Sequence, residues 1–87
     1  LDLPKKFVAG TVIYGDIDEV ANNIEIVISG NGKTQKMTTN GFGDFEFEGL
    51  EANVEYTVKV EAKGYKGQTV NAKTSKDVYL GEIVLAK

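Results

Sequence analysis

The sequence predicts an all-β domain built as a seven-stranded antiparallel β-sandwich. Short runs rich in β-branched and aromatic residues alternate between apolar and polar positions, which is the period-two pattern of half-buried strands. Glycine and asparagine separate these runs at intervals that suit an antiparallel two-layer protein. With 87 residues the chain can form one shared core and is too short to divide that core in two.

The first predicted strand, residues 7–14, carries apolar side chains on both of its faces. Phe7 and Ile13 share one face, and Val8 and Val12 share the other. A strand with two apolar faces lies in the centre of a sheet or is covered on both sides. We expect one of these positions for it.

The next two predicted strands form a hairpin. Residues 24–29 place three isoleucines on one inward face, which is the clearest core pattern in the chain. A Gly-Asn-Gly sequence at residues 30–32 tolerates positive φ and predicts a tight turn. The strand that follows, residues 33–39, is polar and is expected at a sheet edge.

The next two predicted strands differ in how clearly the sequence indicates them. Residues 44–48 alternate perfectly, with Phe45 and Phe47 directed inward and three carboxylates directed to solvent, where their pKa values should be ordinary. Residues 50–63 contain apolar positions four apart, as a helix would. Strict alternation over five positions from Val54 to Ala62 nevertheless favours a strand.

The two ends of the chain complete the prediction. A weak strand is expected around residues 67–72 and the last strand over residues 78–85, where a change of phase at Gly81-Glu82 predicts a β-bulge. Residues 1–6 contain the only proline and are expected to be the tail of a linker. Residues 7–87 would then be a single domain in the C-terminal part of a larger chain, although a mature secreted protein could also begin in this way.

Composition excludes several classes of function. The chain contains no His, Cys, Trp or Arg, so no nucleophile and base can be named together and no catalytic residue is predicted. The net charge is −3 and the lysines form no basic stripe, so nucleic-acid binding is not expected. No apolar run approaches the roughly 20 residues of a membrane-spanning helix, so membrane insertion is not expected.

An ordered set of residues resembles the carboxypeptidase regulatory-like family of transthyretin-like β-sandwiches. The set comprises Gly10-x-Val12, Ile24-x-Ile26-x-Ile28, Thr39-Asn40-x-x-Gly43-x-Phe45-x-Phe47, Leu50, Tyr56-x-Val58-x-Val60 and Gly64-Tyr65. The resemblance covers nearly the whole chain and implies a transthyretin-like, Ig-like Greek-key fold. Family members are accessory domains of peptidases, receptors and surface proteins, so it implies no shared active site. Asn40 stands where the family usually has Asp, so a cation contact by that carboxylate is not carried over.

Residues 1–12 and 78–85 are also similar to the C-terminal domain of the iron-sulfur subunit of molybdopterin oxidoreductases of the transhydroxylase type. This resemblance implies a domain without a cofactor of its own that acts in subunit packing or docking. Its partners would be other domains or subunits of the parent protein. The alternative is a module of a cell-surface or secreted protein that binds a ligand or protein through its loop tips.

One acidic loop is a candidate metal site. Asp16, Asp18 and Glu19 place three carboxylates in one loop, as a hard cation requires. The glycine and glutamate that a twelve-residue calcium loop needs do not follow at the required positions. A solvated acidic loop is therefore favoured, and no metal site is predicted.

Aromatic residues are the candidates for an interaction surface. Phe42 lies between two turn glycines, where it would either contact a partner from a loop tip or plug the end of the sandwich. Tyr65 follows Gly64 and is expected to anchor its corner to the core. Phe42, Tyr14 and Tyr79 are the candidate interaction residues.

Overall fold

The computed structural model describes residues 5–87, which form eight β-strands and no helix. Residues 1–4 of the predicted linker, which was expected to span residues 1–6, lie outside the described residues, and the first strand begins at Lys6. The strands are β1 (Lys6–Tyr14), β2 (Glu19–Val20), β3 (Glu25–Gly30), β4 (Lys33–Thr38), β5 (Asp44–Leu50), β6 (Glu55–Glu61), β7 (Gln68–Lys73) and β8 (Val78–Leu85). They form two four-stranded sheets, so the predicted all-β sandwich is confirmed.

The first sheet, called sheet A, is organised by β1. Strand β8 pairs with β1 from Val8 to Tyr14 along one edge. The other edge is shared by β5, which pairs with residues 6–11, and β2, which pairs with residues 13–14. Strand β1 is therefore central, as its two apolar faces predicted.

Sheet B contains β4, β3, β6 and β7 in that order, and all of its pairs are antiparallel. The predicted hairpin is present, since Asn31 and Gly32 adopt positive φ values of 51° and 74° between β3 and β4. Strand β4 is the polar edge strand. The residues 50–63 that could have formed a helix contain β6 instead.

Two features of sheet A differ from the simple antiparallel pattern. Strands β1 and β8 are parallel, because the chain crosses from sheet B to sheet A after β7 and then runs beside β1 in the same direction. Strand β2 lies in the predicted acidic loop and has two residues, too few to show alternation. A period-two pattern does not indicate the direction of a strand, and it cannot indicate a pairing of only two residues.

The predicted bulge in β8 is confirmed. Ala9 pairs with Tyr79 and Thr11 pairs with Glu82, so β8 carries one extra residue at this point. Gly81 takes a φ of 75°, a left-handed conformation that favours glycine. The bulge restores the alternation, which places Ile83 and Leu85 in the core.

The core lies between the two sheets and contains side chains from both of them. The isoleucines of β3 and the phenylalanines of β5 take the predicted inward positions, and the Phe45 ring packs over Gly10, where a Cβ would lie 2.9 Å from the ring. The buried members of the core are Val8, Val12, Ala21, Ile26, Ile28, Phe45, Phe47, Leu50, Tyr56, Val58, Val60, Ala72, Ile83 and Leu85.

Two buried threonines fix the loops at the ends of the core. The Thr39 hydroxyl donates to the carbonyl of Ala21 at 2.6 Å and accepts from the Ile24 amide at 2.9 Å. The Thr74 hydroxyl lies 2.6 Å from the Glu51 carbonyl oxygen and 3.0 Å from the Val54 amide nitrogen. Each hydroxyl satisfies backbone groups that the sheets leave without partners.

No helix within residues 5–87 has the length and apolar character needed to cross a membrane.

Thr74→Val should lower the free energy of unfolding by about 2 kcal/mol, because an isosteric side chain leaves a backbone donor and acceptor unsatisfied. Thr69→Val, at an exposed position of β7, is the matched control and should change it by less than about 0.5 kcal/mol. Urea denaturation measures both. Equal effects of the two substitutions would show that the Thr74 hydrogen bonds do not stabilise this end of the sandwich.

Candidate functional site

The outer face of sheet A is the most unusual surface of the domain, and we call it the A face. The strand register identifies the residues of the A face, because residues paired across a sheet point to the same side. It consists of Phe7, Ala9, Thr11 and Ile13 from β1, Val20 from β2, Asp44, Glu46 and Glu48 from β5, and Tyr79, Glu82 and Val84 from β8.

Large apolar side chains are exposed across the A face. Ile13 pairs with Val20 on one side and Val84 on the other, so these three form a row across the sheet. Val20 and Val84 are 46% and 48% exposed, and Tyr79 is 68% exposed. A contiguous apolar surface of this kind marks an interaction site more often than scattered exposed residues do.

A polar cluster crosses the middle of the A face. The Thr11 hydroxyl donates to Asp44 Oδ1 and lies 3.4 Å from the hydroxyl of Tyr79. These contacts link β5, β1 and β8 through their side chains. They also hold Tyr79 against the sheet while leaving most of its ring exposed.

Glu46 and Glu48 form a carboxyl pair at the β5 edge of the A face. They are alternate residues of one strand, and a hydrogen bond to the Glu48 carboxyl raises the pKa of Glu46, with desolvation and the Glu48 charge acting in the same direction. The expectation of ordinary pKa values along this strand is therefore wrong for Glu46. Alternation predicted the exposure of these groups, but not the contact between neighbouring carboxyl groups.

The outer face of sheet B, called the B face, is different. Among its described strand positions Val27 is the one large apolar side chain, and it lies between Lys36 of β4 and Lys59 of β6. Lys59 also forms an ion pair with Glu61 at 3.2 Å. A face with mixed charges and mostly polar side chains is typical of a surface in contact with water.

A groove of about 680 Å³ lies beside β5. Its lining joins Ala9, Glu46 and Tyr79 of the A face to Met37 and Asn40 near the edge strand of sheet B. Strand β5 pairs with β1 alone among the described strands, so its other edge borders this open space. The groove could accommodate side chains of a partner that contacts the A face.

The loop that carries Phe42 is built by Asn40. The side-chain oxygen of Asn40 accepts from the amides of Phe42 at 2.9 Å and Asp44 at 3.1 Å. Asn40 thus stabilises the loop through a neutral amide. Phe42 is 75% exposed, so it does not plug the end of the sandwich.

Tyr14 and Tyr65 form a second aromatic feature, away from the A face. Their rings stack with centroids 4.6 Å apart. The Tyr65 hydroxyl donates to Asp16 Oδ1 at 2.8 Å, and Lys87 Nζ lies 3.5 Å from Asp16 Oδ2. Tyr65 therefore anchors its corner, and the ring of Tyr14 is half-buried in this stack, whereas Tyr79 and Phe42 are exposed.

The same contacts determine the chemistry of the acidic loop. The hydrogen bond from Tyr65 lowers the pKa of Asp16, and the Lys87 charge also lowers it. The Asp16 carboxylate raises the pKa of Tyr65 to about 12. Both oxygens of Asp16 have partners, and residues 5–87 contain no group of three side chains placed to hold a metal ion.

Comparisons with known proteins agree with this architecture. The family model of the carboxypeptidase regulatory-like domain matches residues 8–85. The small subunit of pyrogallol hydroxytransferase from Pelobacter acidigallici is 37% identical over 78 residues, which are 88% of this chain and 27% of that protein. The chain thus spans about a quarter of that relative's length.

A solved structure shows the same fold. The crystal structure of a DUF3823 family protein from Parabacteroides merdae superposes with a TM-score of 0.58 at 17% sequence identity. The match covers 98% of this chain and 46% of the other. At this identity the likeness concerns the fold alone.

Tyr65→Phe should raise the pKa of Asp16 towards its ordinary value of 3.8, because the substitution removes the hydrogen bond that stabilises the carboxylate. NMR titration of the Asp16 carboxyl carbon measures this change. Tyr79→Phe, which removes a hydroxyl group elsewhere, is the control and should leave the pKa of Asp16 unchanged.

The pair should also affect stability as a function of pH. The folded-state pKa is lowered for Asp16 and raised for Tyr65. The wild type should therefore have a higher free energy of unfolding than Tyr65→Phe at neutral pH. This difference should decrease as the pH drops below 3.8, and also as the pH rises from 10 towards 12. Denaturation of both proteins at acidic, neutral and alkaline pH measures this difference in the free energy of unfolding. An advantage that is constant across this range would contradict the assignment of the hydrogen bond.

Proposed function

Because the chain belongs to the carboxypeptidase regulatory-like domain family, we propose that it is a non-catalytic accessory domain that docks against other domains or subunits of its parent protein. Its contribution is surface complementarity, and it holds no cofactor of its own. The other parts of the assembly perform the chemistry.

The observation that carries this proposal is the A face. It exposes Val20, Val84 and Tyr79, and a domain without a partner gains nothing from leaving such apolar area in water. The B face, with mixed charges, shows that the same fold can present an ordinary polar surface. This asymmetry supports one docking face and one face in contact with water.

The parent protein we propose is the iron-sulfur electron-transfer subunit of a molybdopterin oxidoreductase. The similarity to a small subunit of pyrogallol hydroxytransferase over 88% of the chain supports this assignment. The chain contains no cysteine, so thiolate ligation of a cluster is not part of its role. Within such a subunit the domain would help the small subunit associate with its catalytic partner.

The test is to isolate the native polypeptide with an antibody against this domain and to identify its full sequence and co-purifying subunits by mass spectrometry. The proposal predicts cysteine motifs for iron-sulfur clusters in the same polypeptide and a large molybdopterin subunit beside it. A polypeptide of repeated β-domains, or one with a surface anchor, would contradict it.

The exposure of Phe42 favours a second candidate function, ligand binding through the loop tips of a cell-surface or secreted protein. Phe42→Ser tests it, because a side chain that is 75% exposed should change the free energy of unfolding by less than about 0.5 kcal/mol. Subunit docking through the A face predicts that the native association survives this substitution. Loss of association with unchanged stability would favour loop-tip binding.

A further inference from the structure

From the proposed function and the chemistry of the A face, we infer that the docking partner is a basic protein segment whose apolar side chains are flanked by lysine or arginine. The inference rests on the proposed function, since it identifies the kind of surface that the accessory domain meets. It depends on three properties of the A face: its apolar row, the sign of its charges and the space beside β5.

The apolar row specifies the centre of the contact. Ile13, Val20 and Val84 lie side by side across β1, β2 and β8, and Tyr79 lies further along β8 beside Ala9. Burial of such side chains is the main favourable term in protein association. A partner that meets this row must therefore present apolar side chains of its own.

The charges of the A face specify what surrounds that centre. Its charged strand positions are all carboxylates: Asp44, Glu46 and Glu48 on β5 and Glu82 on β8. Strands β5 and β8 lie on opposite sides of β1. The apolar and hydroxyl side chains of β1 therefore lie between three carboxylates on one side and one on the other. An acidic partner would be repelled from this face, and a cationic partner would be attracted and oriented.

The carboxyl pair provides a position for one such cation. Glu46 and Glu48 are alternate residues of β5, so their carboxylates lie on the same side of one strand. A guanidinium or ammonium group between them would donate charge-assisted hydrogen bonds to both carboxylates. This arrangement favours arginine or lysine next to β5.

The groove provides space for the same side chain. It contacts Glu46 on the A face and extends past the edge of β5 that no described strand occupies to Met37 and Asn40. A long side chain could place its apolar stem near Met37 while its charged end reaches Glu46. Met37 is half-buried at the edge of sheet B, so this contact would cover apolar area at the open side of the sandwich.

Photo-crosslinking in the native polypeptide and its assembly identifies the partner segment. The benzoylphenylalanine probe is placed at position 79 on the A face and, as a control, at position 69 on the B face. We expect position 79 to link to a segment with apolar residues flanked by lysine or arginine, and position 69 to give no such link. Links from position 79 to acidic or uncharged segments, or links from position 69 alone, would overturn the inference.

Charge reversal tests the electrostatic part independently. Glu46→Lys combined with Glu48→Lys should weaken the association at least about tenfold, because close charge pairs across an interface couple by more than about 1.5 kcal/mol. Glu25→Lys combined with Glu55→Lys makes the same change in net charge on sheet B and should have little effect. Equal weakening by both pairs would show a general charge effect and overturn the inference.

The two proposals can fail separately. If the wild-type polypeptide has no associated subunit or domain in the isolation experiment, the proposed function fails before any variant is made. If the association is present and both charge-reversal pairs leave it unchanged, the accessory function stands and the basic partner is excluded. Thermal denaturation of each variant separates a loss of docking from a loss of folding.

Discussion

Strand β1 is paired on both of its edges, and this pairing organises sheet A and one side of the core. Strand β8 occupies one edge, and β5 and β2 share the other, so every strand of sheet A is attached to β1. Its inner residues Val8 and Val12 are fully buried in the core. Its outer residues form the middle of the A face. The strand that organises sheet A therefore also forms the middle of the proposed docking surface.

The remaining contacts fix the ends of the sandwich around this centre. Thr39 and Thr74 satisfy backbone groups in buried loops, while Tyr65, Asp16 and Lys87 tie the corner after β6 to the loop after β1. These hydrogen bonds add directional constraints to a core that is otherwise apolar. The proposed docking partner would meet the outer side of a sheet whose strands are all paired with β1.

Much of the fold was predictable because burial follows alternation. The isoleucines of β3, Phe45 and Phe47 of β5 and the bulge at Gly81 all lie where the period-two pattern places them. The parallel direction of β8 was not predictable, since alternation carries no information about direction. The sequence indicated part of the A face, because residues 7–14 carry apolar side chains on both faces. The other residues of the A face come from strands far away in the chain. Only the register brings Val20 and Val84 beside Ile13.

Docking as proposed covers the A face in the native assembly and leaves the B face in contact with water. Hydroxyl-radical footprinting tests it directly, by comparing side-chain oxidation in the 87-residue chain alone with oxidation in the native assembly. We expect Tyr79 and Val84 to become strongly protected in the assembly, while Val27 on the B face is oxidised equally in both. Equal oxidation of Tyr79 in the two states would contradict the claim, since an exposed Tyr79 leaves the A face open to water.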